Sequence, residues 1–233
     1  MLEYILYILC ILAILFALWA QFKVQSTFRR YSSFYTNGGA ASTVARRILD
    51  DAGLSHVGIE RIQGSLTDHY DPRSQVLRLS DTVYDSSSAA AVGVAAHECG
   101  HAIQHATGYF PLRLRAVLVP AVSFASRFNW IVIMLGVLFM AFDAYLGYYV
   151  VLLGLGLFLV TTVFQLVTLP CEFNASRRAL SALGAMNRYT EDELSVSRKV
   201  LFSAALTYVA SLLVSLLQLL RLAVRFLGRG RRR

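Results

Sequence analysis

The chain has 233 residues and a mass of 25.9 kDa, with 56% hydrophobic and only 15% charged residues. Its mean hydropathy of +0.54 is too high for an ordinary soluble domain and excludes a disordered chain. Lys and Arg outnumber Asp and Glu by 22 to 14, but the cations stand beside apolar runs, as charges that flank membrane spans do. Three cysteines without framework spacing argue against a disulfide-stapled fold. The composition therefore indicates an integral membrane protein.

The first apolar run covers residues 4–22 and is uncharged over 19 residues, about the length that crosses the hydrocarbon core. The alternative is a cleaved signal peptide. No positive charge precedes the run, however, and no A-x-A cleavage signal closes it. We therefore predict a retained N-terminal anchor.

The following stretch is less apolar and indicates a small domain of mixed structure. Residues 43–52 have an amphipathic helical pattern, and 57–62 and 76–79 have the pattern of short strands. Serines then provide N-cap candidates before a run rich in Ala and Val, which predicts a helix from about 87 to 107 that Gly108 ends.

Beyond residue 115 the composition is apolar again. The runs 116–142 and 144–171 are separated by Asp143 alone and predict a membrane hairpin, with tyrosines at the joint. A fourth apolar run, 200–220, repeats Ser, Thr and Gln at spacings of three and four. That pattern fits both a membrane span and an amphipathic helix in the interface, and the sequence does not decide between them.

Residues 97–101 have the sequence H-E-C-G-H, which matches the zinc-binding pattern H-E-x-x-H. On a helix His97 and His101 lie on one face, so both imidazoles can bind one Zn²⁺. Glu98 can then reach the water in the open coordination position and act as its general base. The alternative is a solvated helix with incidental histidines. The small residues of 89–96 disfavour it, because they let the helix pack tightly.

A catalytic zinc site needs a third protein ligand. His105 shares the helical face but lies two turns from His97, about 12 Å along the axis, so we predict a neighbour and not a ligand. Glu172 is the better candidate, because it directly follows an apolar run and opens a predicted helix. The alternative is an N-terminal Glu that the helix dipole stabilises, and the residues alone leave the two balanced. Cys99 is predicted to pack in the core. Two other histidines remain possible ligands: His56 and His69.

Three separated strings resemble the YugP-type neutral zinc metallopeptidases of bacterial membranes: 64–72, 95–104 and 169–179. The resemblance covers almost the whole chain, in the order span, H-E-x-x-H, hairpin, Glu and span. The chain is also similar, more distantly, to HtpX-type membrane proteases, in which a Glu after a hairpin completes the zinc site. The resemblance implies zinc as the cofactor and Glu172 as the third ligand.

One position departs from the family pattern, which usually has the sequence E-F-D-A-S where this chain has Asn174. If the family's carboxylate orients a zinc histidine, Asn174 can still accept a hydrogen bond, but without charge. The alternative is a peripheral residue whose identity matters little.

Two polar residues precede the second strand of the mixed domain. His69 or Tyr70 could donate a hydrogen bond to the oxyanion of the reaction intermediate. The alternative is a turn held by the side chains of Asp68 and Asp71. The strand at 76–79 could itself pair with an extended substrate.

Together these features predict an integral-membrane zinc endopeptidase. The expected fold is mainly α, with a small zincin-like (gluzincin-type) α+β domain at the membrane surface and about four membrane helices. His97, His101 and Glu172 would bind zinc, and Glu98 would be the general base. The alternative is a non-catalytic membrane scaffold or lipid-binding protein with a structural metal site. The predicted segments are an N-terminal anchor (1–22), a zincin-like domain (23–110), a hairpin (111–170), a helix carrying the third zinc ligand (171–199), a fourth transmembrane or interfacial helix (200–227) and an Arg-rich tail (228–233).

The expected partners are the lipid bilayer and protein or peptide substrates, such as membrane or misfolded proteins. An oligomer or a partner membrane protein is compatible with the sequence. Nucleic acid is not expected, because the basic tail is short and lacks interleaved aromatics. With four spans, one face would hold fifteen cations and the terminal face six. The positive-inside rule then predicts a bacterial cell-membrane protein whose zinc site faces the cytoplasm, although the Arg-rich C-terminus opposes this.

Overall fold

The computed structural model describes residues 1–230, and their side chains as far as residue 227. The last residues of the predicted Arg-rich tail, 231–233, lie outside the described part. The described chain forms these elements: α1 (Leu2–Tyr31), α2 (Ala41–Asp51), β1 (Gly58–Ile62), β2 (His69–Asp71), β3 (Val76–Ser80), α3 (Asp81–Tyr84), α4 (Ala89–Ala106), α5 (Phe110–Phe139), α6 (Ala144–Ala185) and α7 (Glu191–Gly230). This confirms the prediction of a mainly helical protein with a small sheet.

Four helices of the described chain are long and apolar enough to cross a membrane: α1, α5, α6 and α7. The shortest of them has 30 residues and is therefore about 45 Å long, more than the roughly 30 Å of the hydrocarbon core. Only 22–28% of the residues in their apolar windows are buried, as expected where lipid is the solvent. The predicted number of membrane helices is confirmed.

The chain divides into two compact units. The first comprises Met1–Trp19, Leu114–Leu169 and Tyr208–Arg233, and the second comprises Ala20–Arg113 and Pro170–Thr207. The first unit is built from parts of the four long helices. The second unit contains the sheet, α2, α3, α4 and the end of α6.

In the first unit, small residues let α5 and α6 approach closely. A Cβ at Gly136 would lie 2.6 Å from the backbone nitrogen of Val151, so only glycine fits there. The polar stripe of α7 is partly satisfied by α6, where the Ser215 and Thr162 hydroxyls lie 2.8 Å apart. The far end of α7 lies beside the start of α1.

The sheet of the second unit has the order β1-β3-β2, with β1 parallel and β2 antiparallel to β3. Because β3 is paired on both sides, its predicted pairing with a substrate at 76–79 is wrong. The short strands carried no signal for their order, so the sequence could not reveal that β3 is central. The edge strands of the sheet are β1 and β2.

Helix α4 is the central helix of the second unit. At its start, the Ser88 hydroxyl accepts a hydrogen bond from the amide N–H of Ala91. At its end, Gly108 follows the last turn with a φ of 61°. The small residues of its first half are buried against α2 and the sheet. Cys99 lies fully buried in this core, as predicted, with its Sγ 3.6 Å from the carbonyl oxygen of Ala45.

The prediction of a separate helix opening at Glu172 is wrong, because α6 runs without a break from Ala144 to Ala185. Pro170 inside it removes one backbone donor but does not end the helix. The reason is that the buried stripe continues past the proline at spacings of four: Cys171, Ala175, Ala179 and Leu183. Glu172 therefore lies within a helix, and the helix-dipole explanation for it does not apply.

Candidate metal centre

The two histidines of the H-E-x-x-H pattern project from one face of α4. The rings of His97 and His101 meet edge to face, with their centroids 4.8 Å apart. Both side chains are only partly exposed. This is the arrangement that the i, i+4 spacing predicts.

Glu172 on α6 reaches both imidazoles. Its Oε2 lies 3.2 Å from Nε2 of His97 and 3.6 Å from Nε2 of His101, and the residue is only 2% exposed. One ligand atom from each of the three residues lies within 4.8 Å of the other two. The cluster therefore brings two imidazoles and a carboxylate together in a buried place.

These three donors fit a zinc ion. Catalytic zinc sites use three protein ligands of this kind and leave a fourth position open. Two ligands at zinc–ligand distances of about 2.1 Å in a tetrahedron lie about 3.4 Å apart, close to the separations of Glu172 from the two histidines.

The contact of α4 with α6 depends on Gly100, which lies between the two histidines. A Cβ there would be 2.5 Å from the carbonyl oxygen of Ala175 and 3.1 Å from its Cα. These atoms are backbone atoms and cannot swing away. Glycine at this position therefore allows Glu172 to approach the imidazoles.

The remaining ring nitrogen of each histidine has its own partner. Nδ1 of His97 lies 3.1 Å from the Ser176 hydroxyl, and Nδ1 of His101 lies 3.0 Å from Oε1 of Gln104. Such partners orient a metal-binding imidazole. Neither Ser176 nor Gln104 was predicted from the sequence as a partner of the histidines. Their spacing could have indicated them, because residues three or four apart on a helix are neighbours on one face. Ser176 follows Glu172 by four residues, and Gln104 follows His101 by three.

Glu98 lies beside the cluster and is held by the edge strand. Its Oε2 accepts a hydrogen bond from the amide N–H of Tyr70 at 3.1 Å. Burial raises the pKa of the Glu98 carboxyl above its ordinary value, although the neighbouring His97 and His101 act in the opposite direction. The carboxyl is thus fixed in place by a backbone donor.

The other histidines lie apart from the cluster. Nδ1 of His105 lies 3.0 Å from the Tyr70 hydroxyl, and its ring packs against the tyrosine ring. The exposed His69 ring lies 2.9 Å from the carbonyl oxygen of Thr67. His56 is exposed and is not one of the clustered donors. A role for His69 or the Tyr70 hydroxyl toward an oxyanion stays a prediction.

In the described structure, the hydrogen-bond partners of the Asn174 side chain are Gln104 and Arg178, and neither is a histidine of the cluster. Its Oδ1 accepts hydrogen bonds from Nε2 of Gln104 at 3.0 Å and from Nε of Arg178 at 2.9 Å. Asn174 is therefore connected to His101 through Gln104.

Comparison with known proteins agrees with this geometry. A family model described as "Putative neutral zinc metallopeptidase" matches residues 6–227. The "Putative membrane protease YugP" of Bacillus subtilis (strain 168) is 45% identical over 215 residues, which cover 91% of this chain and 92% of that protein. No solved structure matches the chain. The chain therefore belongs to the neutral zinc metallopeptidase family, whose cofactor fits the three clustered donors.

Proposed function

We propose that the protein is an integral-membrane zinc endopeptidase in which His97, His101 and Glu172 hold the metal and Glu98 is the general base. The observation that carries this proposal is the meeting of two imidazoles and a buried carboxylate beside a second, fixed carboxylate. A structural metal site would need the first three residues but has no use for Glu98.

Zinc bound by these donors would polarise the scissile carbonyl and make a nearby water molecule more acidic. The chain's own residues supply the proton transfers. Glu98 accepts the proton of the attacking water and then gives it to the amine of the leaving peptide. The amide of Tyr70 holds one oxygen of Glu98 in place, so the other oxygen is free to face the water.

The substrates that this proposal implies are membrane or misfolded proteins, whose peptide bonds the enzyme would hydrolyse. The proposed organisation is the sequence-derived one, with a zincin-like domain over 23–110 completed by the segment 171–199. Residues 23–115 and 171–199 contain fifteen cations, against six near the C-terminus, which supports a site facing the cytoplasm.

The test is the variant Glu98→Gln, assayed in detergent or liposomes for zinc content and for cleavage of unfolded and membrane proteins. Because Glu98 is not a ligand, the variant should retain zinc. Its cleavage rate should fall by about 10²- to 10⁴-fold, the usual effect of removing a general base. Unchanged cleavage by the zinc-loaded variant would defeat the assigned role of Glu98.

A further inference from the structure

A buried glutamine links the metal cluster to α6. Gln104 is fully buried, and both ends of its amide are engaged. Its Oε1 lies 3.0 Å from Nδ1 of His101. Its Nε2 donates to the carbonyl oxygen of Cys171 at 2.8 Å and to Oδ1 of Asn174 at 3.0 Å. A polar side chain with no contact to water therefore has all of these bonds inside the protein.

The partners on α6 fix which way the Gln104 amide points. The backbone carbonyl of Cys171 can only accept a hydrogen bond, so the NH₂ group must face it. The guanidinium of Arg178 can only donate, so it turns the oxygen of Asn174 toward itself and toward Gln104. Both constraints leave Oε1 of Gln104 facing His101.

The orientation of Gln104 in turn fixes His101. Because Oε1 of Gln104 can only accept, Nδ1 of His101 must carry the hydrogen of this bond. In the neutral imidazole Nε2 then has its lone pair free, and Nε2 is the nitrogen that faces Glu172. An imidazole with the hydrogen on Nε2 would present no lone pair to a metal at that position.

We propose that Gln104, oriented by the Cys171 carbonyl and by the Asn174–Arg178 pair, is a positioning residue that holds His101 in its metal-binding tautomer. The inference rests on the proposed function, because it needs His101 to be a ligand. The inference also gives Asn174 a role, because its Oδ1 accepts the hydrogen bond that helps to orient the Gln104 amide. A carboxylate at the same position would supply the same acceptor.

The test measures zinc affinity by competition with a chelator, which is independent of cleavage. Gln104→Met keeps the volume but removes the hydrogen bonds, and it should weaken zinc binding by about 10- to 100-fold, the usual effect of losing such a partner. Asn174→Asp keeps the acceptor and should bind zinc within about threefold of wild type, whereas Asn174→Leu removes the acceptor and should bind more weakly than Asn174→Asp.

A tautomer readout separates positioning from packing. In zinc-loaded protein labelled with ¹⁵N-histidine, His101 should show an exchange-protected Nδ1–H signal that Gln104→Met loses. Wild-type zinc affinity in folded Gln104→Met would overturn the proposal. If that variant does not fold, equal affinities of Asn174→Asp and Asn174→Leu would overturn it. If wild type binds no zinc, the metal centre itself fails. If wild type and Gln104→Met bind equally, only the role of Gln104 fails.

Discussion

Replacing Gly100 by alanine tests whether the close approach of α4 and α6 builds the metal site. The new Cβ would lie 2.5 Å from the carbonyl oxygen of Ala175, whereas ordinary contact begins at 3.4 Å. The two helices must therefore move apart locally by about 0.9 Å, because the obstructing atoms belong to the backbone. Overpacking of this kind costs about 1–3 kcal/mol of the free energy of unfolding.

The same displacement should weaken metal binding. Glu172 is three residues before Ala175 on α6, so a movement of that helix carries the carboxylate away from His97 and His101. Metal–ligand distances tolerate only about 0.2 Å of error. We therefore expect Gly100→Ala to bind zinc at least about tenfold more weakly than wild type, in addition to unfolding at a lower temperature.

A control glycine lies on α6, the other helix of this contact. A Cβ at Gly184 would meet nothing within 4 Å, so Gly184→Ala adds a methyl group in open space. It should raise the free energy of unfolding by up to about 1 kcal/mol through helix propensity and leave zinc affinity unchanged. The assays are chelator competition and thermal unfolding of the metal-free protein. Wild-type zinc affinity in Gly100→Ala, with an unfolding temperature no lower than that of Gly184→Ala, would refute this reasoning.

Three further predictions concern the ligands, the edge of the sheet and the topology. Glu172→Ala should lose zinc while His105→Ala keeps it, as measured by metal analysis of the purified proteins. The Ser74 hydroxyl and neighbouring donors hold the pKa of Asp71 well below its usual range. The ionised Asp71 therefore stabilises the fold at pH values above about 3.9, the ordinary pKa of Asp, and this stabilisation is lost as the pH falls below that value. Asp71→Asn should therefore be less stable than wild type at neutral pH, and pH-dependent melting should show the difference shrinking below about pH 4. Single cysteines introduced into a cysteine-free background can be labelled in intact cells with an impermeant reagent. A cysteine near Ser74 should not be labelled, whereas one near Gly230 should be labelled if there are four full spans. Labelling near Ser74 would contradict a cytoplasmic site.

The part of the site within one helix could be predicted from the sequence. The spacing of His97 and His101 fixes their common face, because helix geometry is local. The helical rise similarly set His105 apart as a neighbour. These are properties of successive residues and need no knowledge of the rest of the fold.

The parts that depend on packing could not be predicted in the same way. Nothing local shows that α6 continues past Pro170, because the decisive feature is the core against which its buried stripe packs. The partners of Gln104 likewise come from another helix, 67 and 70 residues away along the chain. The order of three short strands was also undetermined, which is why the pairing expected for 76–79 was wrong.

We propose that two histidines and Glu172, and no cysteine, hold the zinc. Zinc K-edge X-ray absorption of the purified protein tests this most directly, because nitrogen, oxygen and sulfur ligands differ in distance. We predict two imidazole nitrogens at about 2.0–2.1 Å and carboxylate or water oxygen at about 2.0–2.2 Å, with the spectrum altered or lost in Glu172→Ala. A sulfur shell at about 2.3 Å, or a wild-type spectrum from Glu172→Ala, would contradict the account.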